Sequence, residues 1–203
     1  MADKKETAWN EAIDRDAGTL SPEQIDEKAR TLLSQMTLAE KVAQMTGDSS
    51  LWGQLVEFLR GYNSRPITAG EGARLGIPAI RFTDGPRGVV MGRSTCFPVS
   101  MARGASFDRE LEGRIGDAIG KEARAQGANF FGGVCVNLLR HPAWGRSQET
   151  YGEDPFLVGE MGKSLAQAVQ EHNVIACVKH YAFNSIENSR FFVNVKADAR
   201  TLH

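Results

Sequence analysis

The sequence predicts an α/β fold with parallel strands, on three observations. From residue 79 onward, short apolar runs alternate with longer stretches of helical periodicity, an order of strand, loop and helix that calls for parallel strands joined by crossovers. Asp84, Arg146 and the pair Lys179-His180 each fall just beyond the C-terminal end of such a run. In a parallel barrel or open sheet those ends share one face, so these residues converge. The third observation is the stretch W-G-R-S-Q-E-T-Y-G-E-D-P from Trp144 to Pro155. It is a charged, glycine-hinged loop between a strand end and a helix start, the place where α/β folds carry function.

Taken in order, residues 1 to 20 read as a polar, aperiodic tail with a helical turn around Trp9 to Ile13. Ser21-Pro22-Glu23-Gln24 then starts a helix, with a serine cap and proline at the first position. Ile25, Ala29, Leu32, Leu33 and Met36 mark its apolar face. Thr37 caps the next helix in a capping box with Glu40, and Gly47 ends it. Leu51 to Leu59 reads as a short helix and Gly61 to Gly76 as irregular loop. Four strands are expected: Ala79 to Phe82, Phe97 to Ala105, Gly132 to Leu139 and Val174 to Val178. Helices are expected from Asp108 to Gln126 and from Phe156 to His172, the second capped by Asp154 with Pro155 leading it. Phe191 to Val195 reads as a further extended piece, and Asp198 as a helix start.

Composition narrows the function classes. A chain of 203 residues is long enough for one real core or part of a larger one, and its formal net charge is −1. With no basic face, nucleic acid is not an expected partner. No apolar run approaches spanning length, so no membrane association is expected either. The start lacks the apolar core of a signal peptide. Cys96, Cys135 and Cys177 are odd in number, far apart and beside apolar segments. That pattern predicts buried free thiols and a cytoplasmic protein. No glycine-rich phosphate loop, dinucleotide fingerprint or catalytic metal spacing occurs, so no cofactor and no metal are expected.

Each candidate residue has a plain structural reading beside the functional one. Asp84 either closes an Asp-Gly-Pro turn or accepts hydrogen bonds from two hydroxyls. Arg146 either stiffens its loop by pairing with Glu149 or Glu153, or donates to a ligand. Trp144 is either packing or a platform for the C–H face of a sugar ring. His180 is either a satisfied core histidine or a site residue, whereas His141 and His172 read as structural or exposed. Lys179, directly after five apolar residues, is poorly explained as plain surface. An aspartate flanked by arginine and lysine suits a polyol.

Several segments carry a more specific signal. They are L-A-E-K-V-A-Q-M-T-G (38 to 47), R-L-G-I-P-A-I-R-F-T-D-G-P-R-G-V (74 to 89), C-F-P-V-S-M-A-R-G-A-S-F-D (96 to 108), W-G-R-S-Q-E-T-Y-G-E-D-P-F-L-V-G (144 to 159) and A-C-V-K-H-Y-A-F-N-S-I-E-N-S-R (176 to 190). In these the chain resembles the N-terminal domain of the glycoside hydrolase family 3 β-glucosidases. The resemblance implies a TIM-like (β/α)8 barrel of which the first four strands are present, preceded by N-terminal helices, over residues 21 to 203. It implies a retaining hydrolysis of O-glycosyl bonds with a β-glucoside or related small carbohydrate as partner. It also implies that Asp84, Arg146, Lys179 and His180 hold the sugar in the −1 subsite, with Arg190 and Glu187 in the same loop.

Two departures from the family pattern matter. Val90 stands where many members carry an arginine, with Arg87 and Arg93 nearby. The continuation Y-A-F-N-S-I-E after Lys179-His180 differs from the P-G-H-G type of the N-acetylglucosaminidase branch, which argues against that branch. The nucleophile and the acid/base of the family are expected beyond His203, so no catalytic residue is assigned within the chain. The alternative function is a non-catalytic carbohydrate-binding or regulatory fragment; a Schiff-base enzyme using Lys179 is a weaker one. Four parallel strands cannot close a barrel, so self-association through the open edge is expected.

Overall fold

A computed structural model describes residues 20–61 and 64–202; the expected tail and its turn at Trp9 to Ile13 lie outside them, apart from residue 20. The described residues divide into two compact units, one drawn from 20–61 and 67–81, the other from 64–66 and 82–202.

The first unit is built by local capping. Helix α1 (Pro22–Gln35) begins with a capping box in which Ser21 and Gln24 satisfy each other's backbone amides. Helix α2 (Leu38–Ala43) repeats the device with Thr37 and Glu40. Glu40 also accepts from Arg74 Nε at 2.6 Å, which ties α2 to the segment before the next strands. Helix α3 spans Leu51–Gly61, two residues longer than expected. Strand β1 (Ile67–Ala69) lies inside the stretch expected to be loop. It forms because Thr68 O accepts from Asp48 N at 3.1 Å and Ala69 bridges Gly47, a pairing with distant residues that local composition does not show.

Strand β2 (Ile80–Thr83) leads into the second unit. There Phe82 and Thr83 pair in parallel with Phe130 and Phe131 of β3 (Phe130–Cys135). Strand β3 pairs in parallel with β4 (Ile175–Lys179), with a register irregularity between Phe131 and Val134 where Gly132 and Gly133 lie. Within the second unit β3 lies between the end of β2 and β4, which leaves β4 at an edge. Along that edge strand Ile175 and Val178 are about half exposed.

Phe97 to Ala105 is not a strand. It contains helix α4 (Ser100–Gly104). Pro98 has no N–H for a ladder, and Ser100, Arg103 and Gly104 are all buried. That is helical spacing; strand alternation would turn Ser100 and Arg103 to opposite faces. Gly104 is required because a Cβ there would lie 2.2 Å from Tyr151 O. Phe191 to Val195 is not extended pairing either: the amides of Phe192 and Val193 both bond back to Ser189 O at 2.8 Å, closing a turn.

The core of this unit is layered. Helix α5 (Arg109–Ala125) contributes Ile115, Ile119 and Ala123, and helix α6 (Pro155–Gln170) contributes Val158, Met161, Leu165 and Val169. Both pack with Phe131 and Val134 of β3. Asp154 caps α6 by accepting from Leu157 N at 2.7 Å, with Pro155 leading the helix as expected. Below the Trp144–Pro155 loop runs a buried polar network. Arg103 pairs with Glu112 at 2.8 Å, both essentially inaccessible, and Tyr151 Oη donates to Glu112 at 2.6 Å. Of the three thiols only Cys135 is buried. Cys96 is exposed because its segment has no regular structure to bury it. The last helix, α7 (Ala199–Leu202), starts at Asp198, which accepts from Thr201 N at 2.8 Å.

Candidate functional site

The second unit brings Asp84, Arg146, Lys179 and His180 to the C-terminal ends of β2, β3 and β4. Asp84 follows β2 directly, in a turn that only glycine can continue: Gly85 has φ +132°, and a Cβ there would lie 1.7 Å from Gly88 O. Asp84 Oδ1 accepts from Gly85 N at 2.8 Å, closing the turn, and from Lys179 Nζ at 2.8 Å. Lys179 is the last residue of β4 and is 12% exposed, held between Asp84 and Glu149, whose Oε2 is 3.7 Å away. The peptide that follows it, Lys179–His180, is cis.

Arg146 makes the fork expected of a loop ion pair. Its Nε and Nη2 donate to the two oxygens of Glu149 at 2.7 and 2.8 Å, across the 3-10 turn Ser147–Glu149. Glu149 raises the Arg146 pKa above its ordinary value, chiefly through that hydrogen bond. A second carboxylate, Glu187, lies 4.0 Å from Arg146 Nη1. Arg190 joins through Glu187, at 3.4 Å, and its guanidinium lies 5.8 Å from the centre of the Phe191 ring. The charges therefore alternate from Asp84 through Lys179, Glu149, Arg146 and Glu187 to Arg190. Trp144 is packing rather than platform: it is 3% exposed and donates its indole N–H to Glu187 at 3.3 Å.

His180 is held from below by Asn137, whose Oδ1 lies 2.9 Å from the His180 amide and 2.8 Å from Nδ1. Burial, followed by the charges of Arg146 and Lys179, pushes the His180 pKa down to about 4. The Cys135 thiol, 3.9 Å from Nδ1, has its pKa raised by burial. His141 and His172 both find partners outside this cluster: His141 Nδ1 accepts from Ala143 N at 3.1 Å, and His172 Nε2 pairs with Asp117 at 2.8 Å. Among the described residues no group of three or more histidines, cysteines or acids could hold a metal ion.

Residues 13–194 match the glycosyl hydrolase family 3 N terminal domain. The chain belongs to that family. Thermostable beta-glucosidase B of Acetivibrio thermocellus is 35% identical over 186 residues, covering 85% of this chain and 22% of that protein. A beta-glucosidase of Rhizobium radiobacter is 35% identical over 178 residues, covering 84% and 20%. The chain thus spans about a fifth of the length of the curated relatives it matches. Among solved structures, beta-glucosidase 3B from Thermotoga neapolitana in complex with α-D-glucose aligns with a TM-score of 0.70 at 33% identity, covering 79% of this chain and 24% of that one. DesR, a beta-glucosidase from Streptomyces venezuelae in complex with D-glucose, aligns at 0.71 and 30% identity, covering 82% and 20%. The open sheet with its helices is accordingly a partial TIM-like barrel of the family 3 N-terminal domain.

Arg87 and Arg93 lie on either side of Val90. Both are exposed, and neither side chain bonds to any group of the cluster. Two residues of the cluster are not singled out by sequence as site residues. Glu149 is visible there only as a loop partner, although the E in W-G-R-S-Q-E is a usable signal. Asn137, near the end of an apolar run, carries no pattern of its own.

Proposed function

We propose that the chain supplies the sugar-binding part of a retaining β-glucosidase-type hydrolase, with Asp84, Arg146, Lys179, His180 and Arg190 holding a glucose-like ring in the −1 subsite. The observation that carries this reading is the alternation of donors and acceptors around Lys179, which lies 2.8 Å from Asp84 and 3.7 Å from Glu149. Vicinal hydroxyls donate and accept on adjacent carbons, so a ring of hydroxyls matches such a chain of fixed charges. The solved relatives carrying glucose support the same ligand class.

Binding is distinct from turnover. Retaining hydrolysis needs one carboxylate to attack the anomeric carbon and another to protonate the leaving oxygen. Asp84, Glu149 and Glu187 each already accept from a lysine or arginine, which suits them to positioning rather than to either step. The 203-residue chain by itself therefore binds glucose and leaves a chromogenic aryl β-glucoside uncleaved. Heteronuclear NMR titration with glucose checks the first statement, and absorbance at the released phenol checks the second. Turnover abolished by replacing one carboxylate of the chain would place the chemistry inside it.

A further inference from the structure

Asn137 is 8% exposed and joins three segments beneath the cluster. Its backbone carbonyl accepts from Thr150 Oγ1 in the Trp144–Pro155 loop. Its neighbour Val136 donates its amide to Lys179 O at 2.9 Å. The orientation of its side chain is determined by two backbone groups that each bond in only one sense. Asn184 O, an acceptor, is 3.0 Å from Nδ2, and the His180 amide, a donor, is 2.9 Å from Oδ1. Exchanging the amide oxygen and nitrogen would oppose donor to donor and acceptor to acceptor at both ends.

With Oδ1 facing His180, the contact of 2.8 Å to Nδ1 is a hydrogen bond only if Nδ1 carries the proton. The Cys135 thiol donates to the same oxygen at 3.4 Å, so it does not compete as an acceptor for that proton. A neutral imidazole has one N–H; with it on Nδ1, the lone pair lies on Nε2. The ring is neutral at ordinary pH because it is partly buried beside Arg146, Lys179 and Arg190, with Glu149 opposing them. Nε2 bonds no described residue.

We propose that Asn137 is a positioning residue that locks His180 in the Nδ1–H tautomer, so that His180 meets the sugar through Nε2 as an acceptor from a hydroxyl. The second half rests on the sugar-binding reading of the cluster; the first does not. The lock matters because Arg146 and Lys179 supply only donors. A neutral acceptor beside them lets the site bond a hydroxyl's hydrogen as well as its oxygen, without adding a further charge.

The test is nitrogen NMR of the intact chain labelled with ¹⁵N-histidine, in the native form and as Asn137→Ala, with glucose as the probe. The native chain is expected to show a protonated Nδ1 and a bare Nε2 at neutral pH. Glucose should then shift the Nε2 resonance. Asn137→Ala should move a large part of the neutral population to the Nε2–H form. It should weaken glucose binding about tenfold, the equivalent of one hydrogen bond. A native Nε2–H tautomer would overturn the proposal, and needs no variant to detect. A folded Asn137→Ala chain that keeps Nδ1–H would overturn the role of Asn137. In a uniformly ¹⁵N-labelled chain, glucose that perturbs none of the Asp84, Lys179 or His180 backbone amide signals would overturn the sugar reading and the acceptor role with it, while the tautomer stands or falls on the sugar-free spectrum.

Discussion

Lys179 reaches Asp84 across 95 residues of sequence, with Nζ 2.8 Å from Oδ1. The pair joins the end of β2 to the end of β4 over the intervening β3, and it gives the cluster its geometry. Asp84 is 44% exposed on its side chain while Lys179 is 12% exposed, so the carboxylate keeps room for a ligand while the lysine is held in place.

On the sugar-binding proposal, replacing Asp84 with alanine removes an acceptor for hydroxyls and leaves Lys179 with Glu149 alone. Charge-assisted hydrogen bonds contribute roughly 1.5–3 kcal/mol, so glucose binding should weaken on the order of 10- to 100-fold. Titration calorimetry of the native chain and the variant measures this directly. A change below about twofold would return Asp84 to the role of turn residue only.

The buried Arg103–Glu112 pair should behave asymmetrically. Glu112→Ala leaves a guanidinium in the interior with no carboxylate, its contacts reduced to the Pro86 and Pro98 carbonyls, Ser100 Oγ and the Tyr151 side chain, at a cost of roughly 3–5 kcal/mol. Replacing both Arg103 and Glu112 with methionine should cost less than Glu112→Ala, because no charge is stranded. Urea unfolding of the two variants decides it. A double variant as unstable as the single one would show that the network matters for more than its charge.

His180 gives stability a defined pH dependence. Its folded pKa, about 4, lies below the ordinary histidine value of 6.5, so between these values the unfolded chain binds a proton that the folded chain does not. Stability therefore rises with pH across this window, is fully present above about pH 6.5 and is lost as pH falls toward about pH 4. His180→Gln should flatten this part of the curve. Urea midpoints measured at about pH 7 and about pH 5 provide the test, and an equal drop in both proteins would assign it to other groups.

The edge at β4 predicts self-association. Ile175 is 52% and Val178 55% exposed on a strand that β3 pairs on one side only, and Phe191 and Phe192 are almost fully exposed in the same unit. An exposed apolar edge is a template for another chain. The 203-residue chain should elute from a sizing column larger than a monomer, and Val178→Lys should shift it toward the monomer. A native chain that is monomeric at high concentration would remove the edge as an interface.

The helix starts at Ser21, Thr37 and Asp154 were all determined by sequence, because a cap bonds an amide three residues away and needs nothing else. So were β2, β3 and β4 to within a few residues, since an apolar run between turn signals is the mark of a buried parallel strand. The convergence of Asp84, Arg146, Lys179 and His180 followed from their place after those strands. Tertiary structure alone decided the rest. Phe97 to Ala105 has enough apolar character for a strand, and the burial of Arg103 against Glu112, nine residues on, is a contact of its helical form that no local pattern shows. Strand β1 exists through pairing with Gly47, and Trp144 became packing through an indole bond to Glu187, 43 residues away. Asn137 shows the same principle at the site. Its partners His180 and Asn184 lie 43 and 47 residues away, and a hydrogen bond between residues so far apart is specified by the packing of β3 against β4, which no local pattern records.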